Sequence, residues 1–492
     1  MNPILDCLRT TVERFPERIA VADAKRSYSF RALWHEAACL AARIAQRGRG
    51  IGVLVERGAE TAVLFLAVTL SGNYYIPFDP ALPPQKRQAI LADASLTLML
   101  GSEEGRALFA GEAVSYLTLA DAAAQECAIP EAGVDTPLYM VYTSGSTGKP
   151  KGVLKSHGAM LSFLSAYTAR FGFSEQEVIG NQTPFFFDAS AKDSYLMFCT
   201  GARLEILPSE LFSFPVRLVA YMNERGVTFI SWVPTALCIV TQLNTFQELL
   251  PTTLRRVFFI GEVFPRKQLD AWRRALPKLE YVNLYGSSEL AGACCCYPVP
   301  DELPDGTVLP IGKPLENCHI LLMDGQTPVT RPGQIGELYV ASPALALGYY
   351  HDAQRTAASF FALTFPDGVT RRTFRTGDMA SYNENGDLVF AARRDYQIKH
   401  MGRRIELGEI EAAADTLPQL RRCCCLYHAE KKRITLFCEL AADCNWDGRQ
   451  VRSALKGLLT DYMLPARVVV LYALPLNANG KIDRQSLQAS MN

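Results

Sequence analysis

The densest concentration of chemically useful residues lies in Tyr142-Thr143-Ser144-Gly145-Ser146-Thr147-Gly148-Lys149-Pro150-Lys151-Gly152. Its glycines let the backbone turn tightly and come close to an anion. The hydroxyls of Thr143, Ser144, Ser146 and Thr147, with the backbone N–H groups, can donate to phosphate oxygens. Lys149 and Lys151 add positive charge. The apolar run Leu138–Tyr142 just before it reads as a buried strand, so the loop sits where a strand would deliver it. It is not a Walker A loop: two residues, not four, separate Gly145 from Gly148, and Pro150 follows Lys149 where Ser or Thr is needed.

Other groups that could act beside a phosphate are scattered along the chain. Carboxylates occur at Asp188 in Phe187-Asp188-Ala189-Ser190, at Glu289 after Ser287-Ser288, and at Asp378 in Arg375-Thr376-Gly377-Asp378. Cations occur at Arg393 and at Lys481 in Asn479-Gly480-Lys481-Ile482-Asp483-Arg484. Singly, each has an ordinary reading: a helix cap, a Gly-Asp turn, a solvated lysine in an Asn-Gly turn. Their order and context give them weight.

The elements that must position these groups alternate. Ile51–Glu56 reads as a strand and Glu60–Leu70 as a helix. Gly152–Lys155 reads as a strand and His157–Arg170 as a helix. Arg256–Ile260 and Tyr281–Tyr285 are strands flanking a helix over Pro265–Leu276 with proline in its first turn. This β-α alternation runs to about residue 390 and predicts an α/β fold with layers of mostly parallel sheet and helix. The last hundred residues read as a small α+β unit: helix Leu407–Leu417, strands Cys423–Tyr427 and Arg433–Leu440, helix Arg449–Leu459 and strand Arg467–Tyr472. The charged join at Arg393-Arg394-Asp395 predicts a hinge between a large domain, 1–394, and a small mobile one, 395–492.

A chain of 492 residues, 49% hydrophobic and 20% charged, can bury a sizeable core, and its length suggests about three compact units. Lys+Arg and Asp+Glu both number 50, which argues against a nucleic-acid or anionic-membrane surface. The 14 cysteines include the triplets Cys294–Cys296 and Cys423–Cys425 but no CxxC pair. They read as buried apolar residues in a reducing compartment rather than zinc ligands or disulfides. The N-terminus lacks a signal-peptide core, and the longest apolar run, near Ala62–Leu70, falls far short of the roughly 20 residues that span a bilayer. The expectation is a cytoplasmic protein without membrane insertion.

The phosphate loop resembles that of the adenylate-forming superfamily of acyl-CoA ligases, luciferases and amino-acid adenylation domains. Further segments match the same family in order: Tyr28–Leu33, Ser71–Asp79, Phe187–Ser190, Asn283–Glu289, Gly336–Leu338, Arg375–Asp378, Arg393–Lys399 running into Gly402 and Arg404–Glu411, and Asn479–Arg484. The resemblance covers nearly the whole chain and implies the acetyl-CoA synthetase-like architecture. It also implies the reaction: a carboxylate attacks the α-phosphorus of ATP, giving an acyl-adenylate and pyrophosphate. Two anions must meet, so cations and fixed geometry are needed, with Mg²⁺ on the phosphates.

The roles that follow are those the resemblance implies. Lys481 is the catalytic lysine, bridging the substrate carboxylate and the α-phosphate. Glu289 contacts Mg²⁺, and Ser288 hydrogen-bonds the α-phosphate. ATP is held by Thr143, Ser144, Gly145, Ser146, Thr147, Gly148 and Lys151, by Asn283, Tyr285 and Gly286, and by Asp378 and Arg393. Tyr285 stacks near the adenine, Asp378 takes the ribose hydroxyls, and Arg393 reaches the ribose or a phosphate oxygen. Asp395 is the pivot between an adenylating and a thioester-forming arrangement. The chain departs from the family at Ser287-Ser288, where Pro-Thr is usual, and at Ala392, where glycine precedes the arginine.

For the acid, Asp188 stands where amino-acid-activating members bind the α-ammonium, and the ending NGKIDR is like theirs. Among them the chain resembles the stand-alone D-alanine–carrier protein ligases and the adenylation domains of non-ribosomal peptide synthetases. The side-chain pocket is aligned to Ala189, Lys192, Ser231, Phe258, Ile260, Leu284, Gly292 and Ala293, with Phe258 and Ile260 narrowing it toward a small amino acid. Lys192 either points inward, to pair with an acidic substrate side chain, or outward as an ordinary solvated lysine, and the second is the default. The sequence shows no Gly-Gly-x-Ser carrier site, so the resemblance implies a monomer that passes its product to the phosphopantetheine thiol of a separate carrier protein. An acyl-CoA or aryl-acid ligase is the sibling alternative, and a catalytically silent nucleotide or amino-acid sensor is the alternative of another class.

Overall fold

The structure, a computed structural model, describes residues 3–143, 150–304, 307–393, 397–441, 444–475 and 482–491. The chain divides into two compact units rather than three. The larger comprises Met1–Pro80, Ala94–Val141 and Gly152–Arg394; the smaller comprises Ala81–Asp93, Tyr142–Lys151 and Asp395–Asn492.

Three sheets build the larger unit. In the nine-stranded sheet, Glu280–Tyr285, Arg256–Ile260, Phe229–Trp232, Val178–Asn181, Arg203–Ile206 and Ile19–Ala22 lie side by side, all parallel. A strand buried on both faces reads as a continuous apolar run. Arg-Val-Phe-Phe-Ile over Arg256–Ile260 is such a run, and the strand has the bounds the sequence predicts. The seven-stranded sheet holds Pro137–Thr143 and Lys151–Ser156, the strands on either side of the phosphate loop. The helix His157–Phe171 follows at once, capped by the Ser156 hydroxyl, which accepts from the Ala159 N–H. Helix Arg266–Ala275 begins one residue after Pro265, so the proline caps the helix instead of entering its first turn.

The β-α alternation stops earlier than the sequence predicts. Between His319 and Arg393 the chain forms a six-stranded antiparallel sheet, interrupted by the short strand Gly348–Tyr349, which pairs in the seven-stranded sheet, and by one helix, Ala353–Ser359. Its longest strand, Thr370–Tyr382, carries Arg371, Arg372, Arg375 and Asp378 together with three threonines, so it has no continuous apolar run to announce it.

In the smaller unit, strands Leu420–His428, Arg433–Leu440 and Arg467–Leu471 form one sheet. Helix Leu407–Asp415 packs into the same core through Leu407, Ile410 and Ala414. Both cysteine triplets are buried, and all 14 cysteines are free thiols. Burial pushes the thiols of Cys423 and Cys425 well up, as expected of inert core residues. No helix among the described residues is long and apolar enough to cross a membrane.

Candidate active site

Strand Glu280–Tyr285 and the loop after it carry the centre of the site. Asn283, Leu284 and Tyr285 are buried in the strand, and the Asn283 amide donates to the Pro310 carbonyl at 2.7 Å. The chain then turns through Gly286. A Cβ there would lie 2.3 Å from the Gly292 carbonyl oxygen, so only glycine fits the return of this loop on itself. The Ser287 hydroxyl is buried without a hydrogen-bond partner, and Ser288 is half-buried beside it. Glu289 is fully buried, and the Tyr349 hydroxyl donates to its Oε1 at 2.8 Å.

Three of the predicted nucleotide contacts meet one another. The Tyr285 hydroxyl donates to Asp378 Oδ2. The Arg393 guanidinium donates to Asp378 Oδ1 at 2.6 Å and to the Thr376 carbonyl at 3.3 Å. Burial and the Asp378 charge hold the Tyr285 phenol well above its ordinary range, so it stays a donor. A carboxylate fixed between a tyrosine and an arginine is built to accept hydroxyl protons from a ligand on its remaining lone pairs.

Asp188 opens the helix Asp188–Thr200 and does not stand alone. Lys155 Nζ donates to its Oδ1 at 2.6 Å, and the Tyr139 hydroxyl donates to the same oxygen at 2.9 Å. Lys155 is fully buried and donates also to the Leu290 carbonyl at 2.9 Å and the Tyr139 hydroxyl oxygen at 3.3 Å. Burial raises the Asp188 carboxyl, while Lys155 and Tyr139 pull it back and the Glu289 charge pushes it further up. Lys155, Tyr139 and Tyr349 are absent from the sequence-derived site. One signal was available for the lysine. Alternate residues of a strand share a face, and Lys155 shares its face with Val153, the apolar centre of strand Lys151–Ser156.

The predicted side-chain pocket residues lie in the interior of the larger unit. Ile260, Leu284 and Ala293 are buried, and Ala189 is half-buried. Phe258 is wholly enclosed by Phe171, Phe173, Phe229 and Tyr167, with ring centroids 4.7–6.2 Å away. Gly292 adopts a φ of +75°. The Ser231 hydroxyl is buried and unpartnered. The default expectation for Lys192 is overturned: it is 2% exposed and paired at 2.6 Å with Asp193, itself 2% exposed. A buried ammonium needs a carboxylate, and the adjacent helical residue supplies it.

In the smaller unit, Thr143 ends its strand with its hydroxyl buried and unpartnered. Lys151 is nearly buried, its ammonium 4.0 Å from Glu406. Ser144, Gly145, Ser146, Thr147, Gly148, Asp395 and Lys481 lie outside the described residues.

A family model described as AMP-binding enzyme matches residues 8–350. The chain belongs to the AMP-binding enzyme family. It is 31% identical over 482 residues to tyrocidine synthase 3 of Brevibacillus parabrevis, covering 96% of this chain and 7% of that protein. The chain spans less than half the length of the curated relatives it matches. Among solved structures it resembles IdnL1 at 28% identity and a TM-score of 0.82, covering 96% of this chain and 98% of that one. It resembles holo-PA1221, an NRPS protein containing adenylation and PCP domains bound to a vinylsulfonamide inhibitor, at 25% identity and a TM-score of 0.86, covering 99% and 84%. The fold is therefore that of the adenylation domains, and the family is one of AMP-forming ligases that use ATP and Mg²⁺.

The site fits both groups. The unpartnered Ser287 hydroxyl and the glycine-lined turn at Gly286 suit phosphate oxygens. Among the described residues no three His, Cys, Asp or Glu side chains gather as a metal cage. Mg²⁺ bound with phosphates uses one or two carboxylates and keeps several waters. Glu289, the carboxylate of the loop after strand Glu280–Tyr285, is of the type that need calls for.

Proposed function

We propose that the chain activates a carboxylic acid with ATP and passes the acyl group to the phosphopantetheine thiol of a separate carrier protein. In the first step a substrate carboxylate oxygen bonds to the α-phosphorus and pyrophosphate leaves. In the second, a thiol sulfur bonds to the acyl carbon and AMP leaves. The observation that carries this reading is the convergence of Tyr285 and Arg393 on Asp378 beside the turn that holds Glu289. Asp378 takes the ribose hydroxyls, Arg393 fixes that carboxylate, and Ser287 and Ser288 offer hydroxyls to the α-phosphate. Glu289 would hold Mg²⁺, which supplies charge neutralisation on the phosphates when bound. Lys481 is assigned the developing negative charge between carboxylate and α-phosphate, and the domain that carries it, 395–492, is assigned a closing motion about Asp395.

Two classes of acid are compatible with this reaction. An amino acid is supported by the peptide synthases among the relatives and by a carboxylate at the start of helix Asp188–Thr200. An amine-free acid is supported by the Lys155 ammonium already seated on that carboxylate. The test is acid-dependent ATP–pyrophosphate exchange by the purified chain, screened over amine-bearing and amine-free acids, followed by acyl transfer to a phosphopantetheinylated carrier protein. Exchange with a defined acid, lost in Lys481→Ala while ATP binding survives, is the expected result. ATP binding with no exchange for any acid points instead to a sensor.

A further inference from the structure

The network around Asp188 goes further than the reaction class, and the inference drawn from it rests on the adenylation reading above. Lys155 has three N–H donors and all are used: on Asp188 Oδ1 at 2.6 Å, on the Leu290 carbonyl at 2.9 Å and on the Tyr139 hydroxyl oxygen at 3.3 Å. The same Tyr139 hydroxyl gives its own proton to Asp188 Oδ1 at 2.9 Å, and the ammonium lies 5.0 Å from the centre of the Tyr139 ring. Every polar group of the lysine and the tyrosine is satisfied inside the protein, so the arrangement is complete without a ligand. Stacked rings hold it in place: Tyr139 packs between Tyr75 and Tyr195, 5.4 and 6.4 Å away.

The network also adjoins the catalytic loop. Lys155 bonds the carbonyl of Leu290, the residue after Glu289, and the Glu289 charge is felt at Asp188. On the adenylation reading the acid reacts beside Glu289, one residue from the carbonyl that Lys155 holds, and Asp188 already carries Lys155. The side chain of Asp188 retains 12% exposure, while Lys155 has none. Oδ1 is taken twice, and among the described residues no donor reaches Oδ2. A ligand thus sees one free carboxylate oxygen whose charge is balanced by a cation a hydrogen bond away. An ammonium placed on Oδ2 would share one carboxylate with a second, immovable ammonium, and like charges at such range repel strongly in a desolvated site. An uncharged O–H or N–H gains the same hydrogen bond without that repulsion.

We infer that Lys155 sets the substrate class: the acid activated here carries, beside its carboxyl, an uncharged hydrogen-bond donor such as a hydroxyl, and not an ammonium. Lys155 is on this reading a specificity-determining residue that acts through Asp188.

The test compares matched acids in ATP–pyrophosphate exchange by the whole chain: lactate against alanine and 3-phenyllactate against phenylalanine, in both enantiomers, and salicylate against benzoate. The expected result is a kcat/KM at least tenfold higher for the hydroxy member of the matched pair that reacts. In Lys155→Met the cation is gone, and the amino-to-hydroxy ratio should rise at least tenfold. Should that variant fold poorly, the wild-type ratio still decides. The double variant Lys155→Met/Asp188→Asn, which removes both charges while nearly keeping shape, should retain the wild-type order. A wild-type preference for the amino member overturns the inference and leaves the adenylation reading standing. A ratio unmoved by Lys155→Met also overturns it. No exchange with any acid takes down the adenylation reading and the inference with it.

Discussion

Asp378 and Lys192 show how differently two buried ion pairs serve the molecule. Asp378 is held by Tyr285 on one oxygen and Arg393 on the other, and the proposed function gives its remaining lone pairs to the ribose hydroxyls. Asp378→Asn keeps the shape but removes the charge that pairs with Arg393 and that the proposed function assigns to the ribose hydroxyls. ATP affinity measured by calorimetry should fall at least tenfold, about 1.4 kcal/mol, and unchanged affinity would remove Asp378 from the nucleotide site. Lys192 and Asp193 pair with each other in the interior, and Asn181 donates to the second oxygen of Asp193 at 3.2 Å. Lys192→Met leaves a buried carboxylate without its cation, which costs about 3–5 kcal/mol. Thermal unfolding should show a drop of several degrees, and a loss under 1 kcal/mol would mean that Asp193 is satisfied by other groups. The first of these residues was legible in the sequence because a short motif, Arg375–Asp378, carries it. The partners of Lys155 were not. They lie 16, 33 and 135 positions away along the chain, and no local pattern encodes that meeting.

Among the elements, the loop from Gly286 to Gly292 is the one whose shape the proposed chemistry depends on. Gly292 sits at φ +75°, and a Cβ there would come within 2.3 Å of the Phe163 ring. Phe163 is itself buried in the core and cannot retreat freely. Gly292→Ala therefore combines left-handed strain of about 1–2 kcal/mol with overpacking of about 1–3 kcal/mol. Gly325 has a similar φ of +61° with nothing within 4 Å, so Gly325→Ala should show the strain alone. Urea unfolding of the two variants should separate these contributions, and equal losses would mean that Phe163 gives way. Parallel strands such as Arg256–Ile260 and Glu280–Tyr285 were readable because both their faces are buried, which makes apolar runs. The four-residue strands Ile19–Ala22, Val178–Asn181, Arg203–Ile206 and Phe229–Trp232 were too short to stand out. The antiparallel sheet over 319–393 was not readable either. Apart from the fully buried Gly336–Ala341, its strands mix exposed and buried positions, as in Thr370–Tyr382, and the charged residues among them mask the pattern.

For the molecule as a whole, stability changes with pH through groups that bind protons differently in the folded and unfolded chain, and several buried groups do so. Burial lowers the His157 imidazole to about 4 from its ordinary 6.5, and its Nδ1 has no partner. The sign follows from proton linkage. Between pH 6.5 and about 4 the unfolded chain binds a proton at this histidine that the folded chain refuses, so stability falls as pH drops through that window. Burial raises the carboxyls of Glu205 and Glu409. Groups of that kind act in the opposite sense: their contribution is present at low pH and declines as pH rises above the ordinary carboxylate range. The two effects overlap, so the wild-type curve alone does not isolate either one. Comparison with His157→Leu does, because the carboxylates are common to both proteins. Each pH unit below 6.5 is worth about 1.4 kcal/mol, so the stability of wild type relative to the variant should fall by about 2 kcal/mol between pH 7 and pH 5. Trp232 and Trp272, both fully buried in the larger unit with His157, supply the fluorescence that follows unfolding of that unit. Parallel curves for the two proteins would mean that His157 accepts its proton in the folded state, and that its surroundings give way to let it do so.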